Sequence, residues 1–357
     1  MRSENIIMAY AAGIIDGHGS FSIIKQKTKA NPVYYALLQV NSWRKVIIHF
    51  LKAEFGGNVS TIAPCAKKDG SNGHPLYRWR IQSRKDVQSV LEKVMPYLKM
   101  KSNRARLLLR FIGETTVDRG KALSDDELIL RERFYVDMIQ SNDWMSFDNT
   151  FTAKLSKVIS EDQVFWSYVA GLIDTDGSLV IKRKLHKKGT FFKNPQYSPV
   201  TSIYTAETAS INYIRQNFPL GRLHISKSEF YSGSGFLYRY GIYNRKECAE
   251  FLKRIIPFLR AKKQHAEILL NFCENSVNTA SCQDGTLSRE LEFRHDCYVK
   301  LVNLNRYGVS KSPLMDLKPL PDNAEGNKAE GSNATVNAVS GETIDDDGCG
   351  TLDSMET

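Results

Sequence analysis

The stretch Tyr168-Val169-Ala170-Gly171-Leu172-Ile173-Asp174-Thr175-Asp176-Gly177-Ser178 has a partner near the start of the chain, Tyr10-Ala11-Ala12-Gly13-Ile14-Ile15-Asp16-Gly17-His18-Gly19-Ser20. The repetition continues downstream. Leu76-Tyr77-Arg78-Trp79-Arg80-Ile81 returns as Leu237-Tyr238-Arg239-Tyr240-Gly241-Ile242. In the same register Met95-Pro96-Tyr97-Leu98 matches Ile256-Pro257-Phe258-Leu259, and Lys101 matches Lys262. Glu127-Leu128 through Tyr135-Val136 resembles Glu290-Leu291 through Tyr298-Val299. Blocks recurring twice in one order define a tandem duplication, with halves near 1–145 and 160–305.

Periodicity within each half reads helix, two strands, helix, two strands, then further helices. In the first half this predicts a helix over Asn5–Ile15, strands at Phe21–Ile23 and Tyr34–Asn41, and a helix from Trp43 to Phe55. Strands at Asn58–Pro64 and Leu76–Gln82 then flank a polar Lys67–Gly73 loop, and a helix follows from Asp86 to Tyr97. The fold class is α+β: two αββαββα halves, each contributing an antiparallel sheet. The expected boundaries are 1–115 for the first half, 116–160 for a helical extension and linker, 161–312 for the second half with its extension, and 313–357 for a tail.

A helix that ends in small residues and an acid, present twice, has a physical reading. Ala12-Gly13 and Ala170-Gly171 let two helices approach backbone to backbone. The acids at their ends then converge near a pseudo-twofold axis, and paired carboxylates make a hard oxygen site suited to Mg²⁺. One isolated copy would read as a helix cap and turn; two copies heading matched repeats favour the paired site.

These residues resemble the motif of the LAGLIDADG homing endonucleases and intron maturases, nearly completely over Val169–Gly177 and less so over Ala11–Gly19. The resemblance covers the whole duplicated body and implies a single-chain, two-motif member, monomeric and pseudosymmetric. Its two sheets are expected to lie as saddles in the DNA major groove. It implies hydrolysis of both strands of a long double-stranded DNA site with Mg²⁺ bound by the penultimate acid of each motif. Asp176 takes that position in the second motif, but His18 takes it in the first. The main-chain carbonyls of Gly17 and Thr175 are the implied helpers. A neutral imidazole brings no charge and is a poor Mg²⁺ ligand, so cleavage is expected to be weakened or reduced to nicking. Lys101 and Lys262 take the family's basic position, steadying charge on the phosphate in flight, against a plain reading as surface lysines. The family's water-orienting position falls at Ser42 and near Thr205. A maturase acting on group I intron RNA, or a DNA binder that no longer cuts, is the alternative. The implied host is an organelle, chloroplast or mitochondrion, with local synthesis, or a bacterial or viral setting.

Strand parity selects the side chains able to read bases. Lys182 and Lys184 alternate with Leu179 and Ile181, and Ser22 and Gln26 take the matching face of the first half. Arg78 and Arg80 alternate with Tyr77, Trp79 and Ile81; Arg239 is their counterpart, and Tyr35, Gln39 and Asn41 join them. Arg suits guanine, and Gln or Asn suits adenine.

Composition supports a polyanionic partner. The 357 residues carry 49 Lys and Arg against 39 Asp and Glu, a net charge of +10. From Pro313 onward ten acidic residues face two basic ones, so that segment holds −8 and the body +18. Its polar composition predicts disorder. No apolar run approaches the roughly 18 residues of a membrane span, and no signal segment opens the chain, so a membrane or secreted protein is not expected. The six cysteines form no CxxC pair, which argues against a zinc site. Asp174-Thr175-Asp176-Gly177 also fits the opening of a haloacid-dehalogenase phosphatase, but there the aspartate ends a buried strand. Gly241-Ile242-Tyr243 matches half of a GIY-YIG nuclease signature, without its partner.

Overall fold

The computed structural model describes residues 4–28, 31–63, 75–116, 123–141, 158–185, 194–227, 235–277 and 284–305. The Lys67–Gly73 loop, much of the 116–160 linker, His186 and the acidic 313–357 segment lie outside them.

The first half runs α1 (Glu4–His18), β1 (Gly19–Gln26), β2 (Val33–Ser42), α2 (Lys45–Phe55), β3 (Asn58–Ile62), β4 (Leu76–Ile81) and α3 (Arg84–Val94). A 3₁₀ turn (Met95–Tyr97), α4 (Ser102–Glu114) and α5 (Asp125–Gln140) complete it. The second half repeats the order: α6 (Gln163–Asp176), β5 (Gly177–Lys184), β6 (Gln196–Thr205), α7 (Thr208–Asn217), β7 (Arg222–Lys227) and β8 (Phe236–Ile242). Then come α8 (Arg245–Ile255), α9 (Lys263–Asn275) and α10 (Asp284–Asn305). Both sheets are antiparallel, with strand orders β1-β2-β4-β3 and β5-β6-β8-β7.

Helices α1 and α6 are apolar on all sides because both lie in the middle of the molecule; every residue from Phe165 to Thr175 is buried. The strands are one-sided instead. Tyr34, Ala36, Leu38 and Val40 of β2 turn into the core, joined by Trp79 and Ile81 of β4. Local signals set several ends. Asp162 accepts from Val164 N–H at 2.9 Å to open α6, and Asn244 accepts from Lys246 and Glu247 to open α8. Gly56 and Gly57 end α2 with φ of 72° and 76°, where a side chain would be strained.

The structure moves several expected boundaries. Helix α1 continues three residues past Ile15 to His18, because the neighbouring helix supports its last turn, and β1 begins at once instead of after a glycine turn. Helix α2 starts at Lys45 and β3 stops at Ile62. The register settles the repeat: Gly19 faces Val40 where Gly177 faces Ile203, so Ser42 is the counterpart of Thr205. Among the described residues, no helix is long and apolar enough to cross a membrane.

Candidate active site and nucleic-acid interface

The site is built on the crossing of α1 and α6. A Cβ placed on Gly13 would lie 2.2 Å from the Tyr168 carbonyl oxygen, and one on Gly171 would lie 2.3 Å from that of Tyr10. Only glycine permits this approach, and it brings the two helix C-termini together. At their tips His18 Nε2 stands 3.2 Å from Asp176 Oδ1, each side chain about a quarter exposed (27% and 29%). The two residues expected at the metal position of the motifs therefore meet each other across the axis.

The acids two residues earlier do something else. Asp16 is buried and accepts the backbone N–H groups of Lys99, Met100 and Lys101 at 2.7, 3.2 and 3.0 Å. It also accepts the Tyr168 hydroxyl of the other half at 2.9 Å. Asp174 mirrors it, accepting from Arg260, Ala261 and Lys262 at 2.8, 3.0 and 2.7 Å and from the Tyr10 hydroxyl at 2.6 Å. Each carboxylate thus satisfies orphan donors ahead of a helix, α4 or α9, and ties the halves together. Both tyrosines are held well above their ordinary range by burial and by the facing carboxylate.

Lys101 and Lys262 are not surface lysines. The Lys101 ammonium donates to the carbonyls of Ile15, Gly17 and Gly19 at 3.1, 3.3 and 2.7 Å. Lys262 repeats this on Ile173, Thr175 and Gly177 at 2.7, 3.1 and 2.5 Å. All three protons of each ammonium are engaged, on the carbonyls exposed at the end of α1 or α6, where a positive charge suits the helix dipole. The carbonyls of Gly17 and Thr175 therefore each already accept a lysine proton, and only the second lone pair of each remains for a cation. Burial lowers both lysines, Lys262 to about 8, with Arg44 adding to the effect there and Asp174 and Asp176 opposing it. Among the described residues Asp176 is the one carboxylate whose field reaches both lysines.

Sequence reasoning missed the pair Arg44 and Glu207, which occupy matched positions two residues beyond Ser42 and Thr205. Each reaches across to the other half. Arg44 Nη1 lies 3.5 Å from the Ala261 carbonyl, beside Lys262, whereas Glu207 faces Lys101 and Arg104 and is raised by burial. The two halves thus present opposite charges at one position, a difference visible only after the strand registers are aligned. Ser42 and Thr205 accept the N–H of those same residues at 3.1 and 3.0 Å, a local turn role.

The open faces of both sheets carry the expected polar side chains. Lys182, Lys184 and Gln26 are exposed, and Ser22, Tyr35, Gln39, Asn41, Arg78, Arg80 and Arg239 are half-buried on the same faces. Arg78 Nε donates to Asn41 Oδ1 at 3.1 Å across the strand pair, which fixes the direction of its guanidinium. The Arg239 guanidinium lies 5.9 Å from the Tyr243 ring.

Asp174 and Asp176 end a helix, not a strand, which removes the phosphatase reading. Gly241 and Ile242 belong to β8, which pairs with β6 as β4 pairs with β2. Neither a family model nor a curated protein sequence matches the chain. Solved structures do. One is the LAGLIDADG homing endonuclease I-GzeII in complex with DNA target, with a TM-score of 0.57, 12% identity and coverage of 81% of this chain and 97% of that one. I-SmaMI bound to uncleaved DNA target in the presence of calcium ions gives 0.55 and 17%, over 80% and 97%. The LAGLIDADG meganuclease I-AabMI bound to uncleaved DNA gives 0.54 and 12%, over 80% and 97%. The chain has the LAGLIDADG homing-endonuclease fold. It has it in the single-chain form, two pseudosymmetric halves joined at the α1–α6 crossing.

Proposed function

We propose that the protein is a site-specific endonuclease that grips a long double-stranded DNA site with its two open sheet faces and hydrolyses phosphodiester bonds at the His18–Asp176 point. The observation carrying this is the convergence of both helix C-termini on that point, with Asp176 3.2 Å from His18. Two C-terminal dipoles and one carboxylate make a local sink for a cation.

The residues fit a Mg²⁺ ion only in part. Among the described residues no group of three or more His, Cys, Asp or Glu is gathered to hold a metal. Mg²⁺ commonly takes one or two carboxylates and completes its shell with substrate phosphate and water. Asp176 with the second lone pairs of the Gly17 and Thr175 carbonyls would hold it on those terms. When bound, the ion supplies charge stabilisation at the phosphate and an activated water. The protein's own groups do the rest. The sheet arginines and lysines fix the duplex register. Lys101 and Lys262 offset the negative helix ends so that a phosphate can approach. His18 offers an imidazole whose Nδ1 is buried without a partner, and which adds no negative charge opposite Asp176.

With one carboxylate at the axis the two strands are not treated alike, and we expect nicking or slow two-strand cleavage. The same observation favours one second reading, a group I intron maturase or a DNA binder without cleavage. Both readings imply a host genome that is organellar, microbial or viral. Selection of bound duplexes from a randomised pool, followed by incubation of plasmid carrying the selected site in Mg²⁺, separates them. Relaxed or linear plasmid supports the nuclease; unchanged plasmid with tight retention of intron RNA supports the maturase.

A further inference from the structure

Behind the first sheet a small cluster is closed electrostatically. Lys25 of β1 faces Tyr34 of β2, and its ammonium sits 2.7 Å from a Glu132 carboxylate oxygen. The Tyr34 hydroxyl donates to the same carboxylate, and the ammonium also lies 5.6 Å from the Tyr135 ring.

The second half keeps both tyrosines of this cluster and a base, now arginine, but not its carboxylate. Arg183 faces Tyr197 as Lys25 faces Tyr34. The pairs Glu127–Arg131 and Glu290–Arg294, each four residues apart on its helix, align α5 with α10. That alignment puts Tyr298 at the place of Tyr135 and His295 at the place of Glu132. His295 Nδ1 lies 2.9 Å from the Tyr197 hydroxyl, and its ring stacks on Tyr298. Burial and the nearby guanidinium hold the imidazole below its ordinary range. The neighbouring carboxylate, Asp296, is paired with Lys300 at 2.6 Å. Among the described residues Arg183 has no carboxylate in ion-pair reach, and its Nε is buried without a partner.

Arg183 also lines a cavity of about 550 Å³ between the edge strand β5 and the last turns of α10. Tyr298, Leu301 and Val302 of α10 form its apolar wall. We propose that this cavity is a phosphate-binding site, present in the second half and closed in the first by Glu132. A guanidinium without its counter-ion presents the fork that matches a phosphate. The C-terminal carbonyls of α10 near Asn305 repel an anion, so the phosphate belongs at the Arg183 end, with any remaining ligand along Tyr298 and Leu301. A phosphorylated small molecule and a nucleic-acid backbone phosphate share this chemistry.

The test uses the full chain at constant ionic strength, with inorganic phosphate and a nucleoside 5′-monophosphate as probes and thermal melting as the readout. A saturable rise in Tm is expected. Arg183→Gln should weaken its midpoint about tenfold or more, and His295→Glu should do the same by rebuilding the first half's ion pair. Glu132→His should open a second response. The two sources are told apart by duplex binding against salt: a slope shallower by about 0.9 in Arg183→Gln assigns a backbone phosphate, and an unchanged slope assigns a free phosphate compound. His295 lies outside the His18–Asp176 point, so at saturating protein His295→Glu should cleave plasmid at the wild-type rate, and at limiting protein its cleavage should fall only if the site takes a backbone phosphate. If the wild type shows neither a saturable response nor a slope difference, or if responses survive in both Arg183→Gln and His295→Glu, the proposal is overturned.

Discussion

Replacing Gly171 by alanine tests the helix crossing on which the site is built. In the interior of an ordinary helix this change stabilises by roughly 0.5–1 kcal/mol, because glycine loses more conformational freedom on folding. Here the new methyl would meet the Tyr10 carbonyl oxygen at 2.3 Å, Ile14 N at 3.0 Å and Gly13 Cα at 3.1 Å, all backbone atoms. Restoring an ordinary 3.4 Å contact requires α1 and α6 to part by roughly 1 Å. That separation loosens a core in which Ile14, Ala170 and Ile173 are fully buried. Overpacking of this kind costs about 1–3 kcal/mol and more against backbone, so the net effect is a loss of about 2 kcal/mol or more. At about 2 °C per kcal/mol for a chain of this size, Tm should fall by about 4 °C or more. The internal control is Gly113→Ala, where nothing lies within 4 Å of the new methyl and a small gain is expected. Differential scanning calorimetry of both variants gives the answer. A Gly171→Ala protein as stable as the wild type, or more so, would show that the helices do not cross as described.

Tyr10→Phe removes the hydroxyl that Asp174 accepts across the halves, and should lower stability by about 1–3 kcal/mol in urea denaturation; an unchanged midpoint would mean the bond adds nothing. His265 is buried and held neutral, its pKa pushed down to about 4 by burial and then by Arg44 and Lys262. Between pH 6.5 and 4 the unfolded chain takes up a proton that the folded chain refuses, so stability should fall across that window by up to about 3 kcal/mol, and the fall should flatten in His265→Asn. Arg78→Ala or Arg80→Ala should cost about 1–3 kcal/mol of DNA affinity at particular base pairs, whereas Lys85→Ala on α3 should not; equal losses at every sequence would reduce the sheet to an electrostatic platform.

Much of the architecture was legible because it rests on local patterns. Duplicated blocks gave the two halves, and alternation along Leu179–Lys184 placed the lysines on the open face correctly. What stayed hidden depends on partners distant in sequence. Helix α1 reaches His18 because α6 supports it. The roles of Asp16 and Asp174 lie in N–H groups more than 80 residues away, which no spacing announces. A lysine following a Pro-aromatic-Leu turn carries no mark of the three carbonyls that hold it. Glu207 and Arg44 escaped notice because their opposition appears only once Thr205 is set against Ser42.

The central claim is that Asp176, with His18 opposite, is the hydrolytic centre. Plasmid bearing the selected site is incubated with Mg²⁺ and wild-type, Asp176→Asn or His18→Asp protein, and nicked and linear products are followed in time. The account predicts nicking or slow cutting by the wild type, none by Asp176→Asn, and faster linearisation by His18→Asp, since a second carboxylate adds a hard ligand and a charge at the axis. Efficient linearisation by the wild type that survives Asp176→Asn would contradict it.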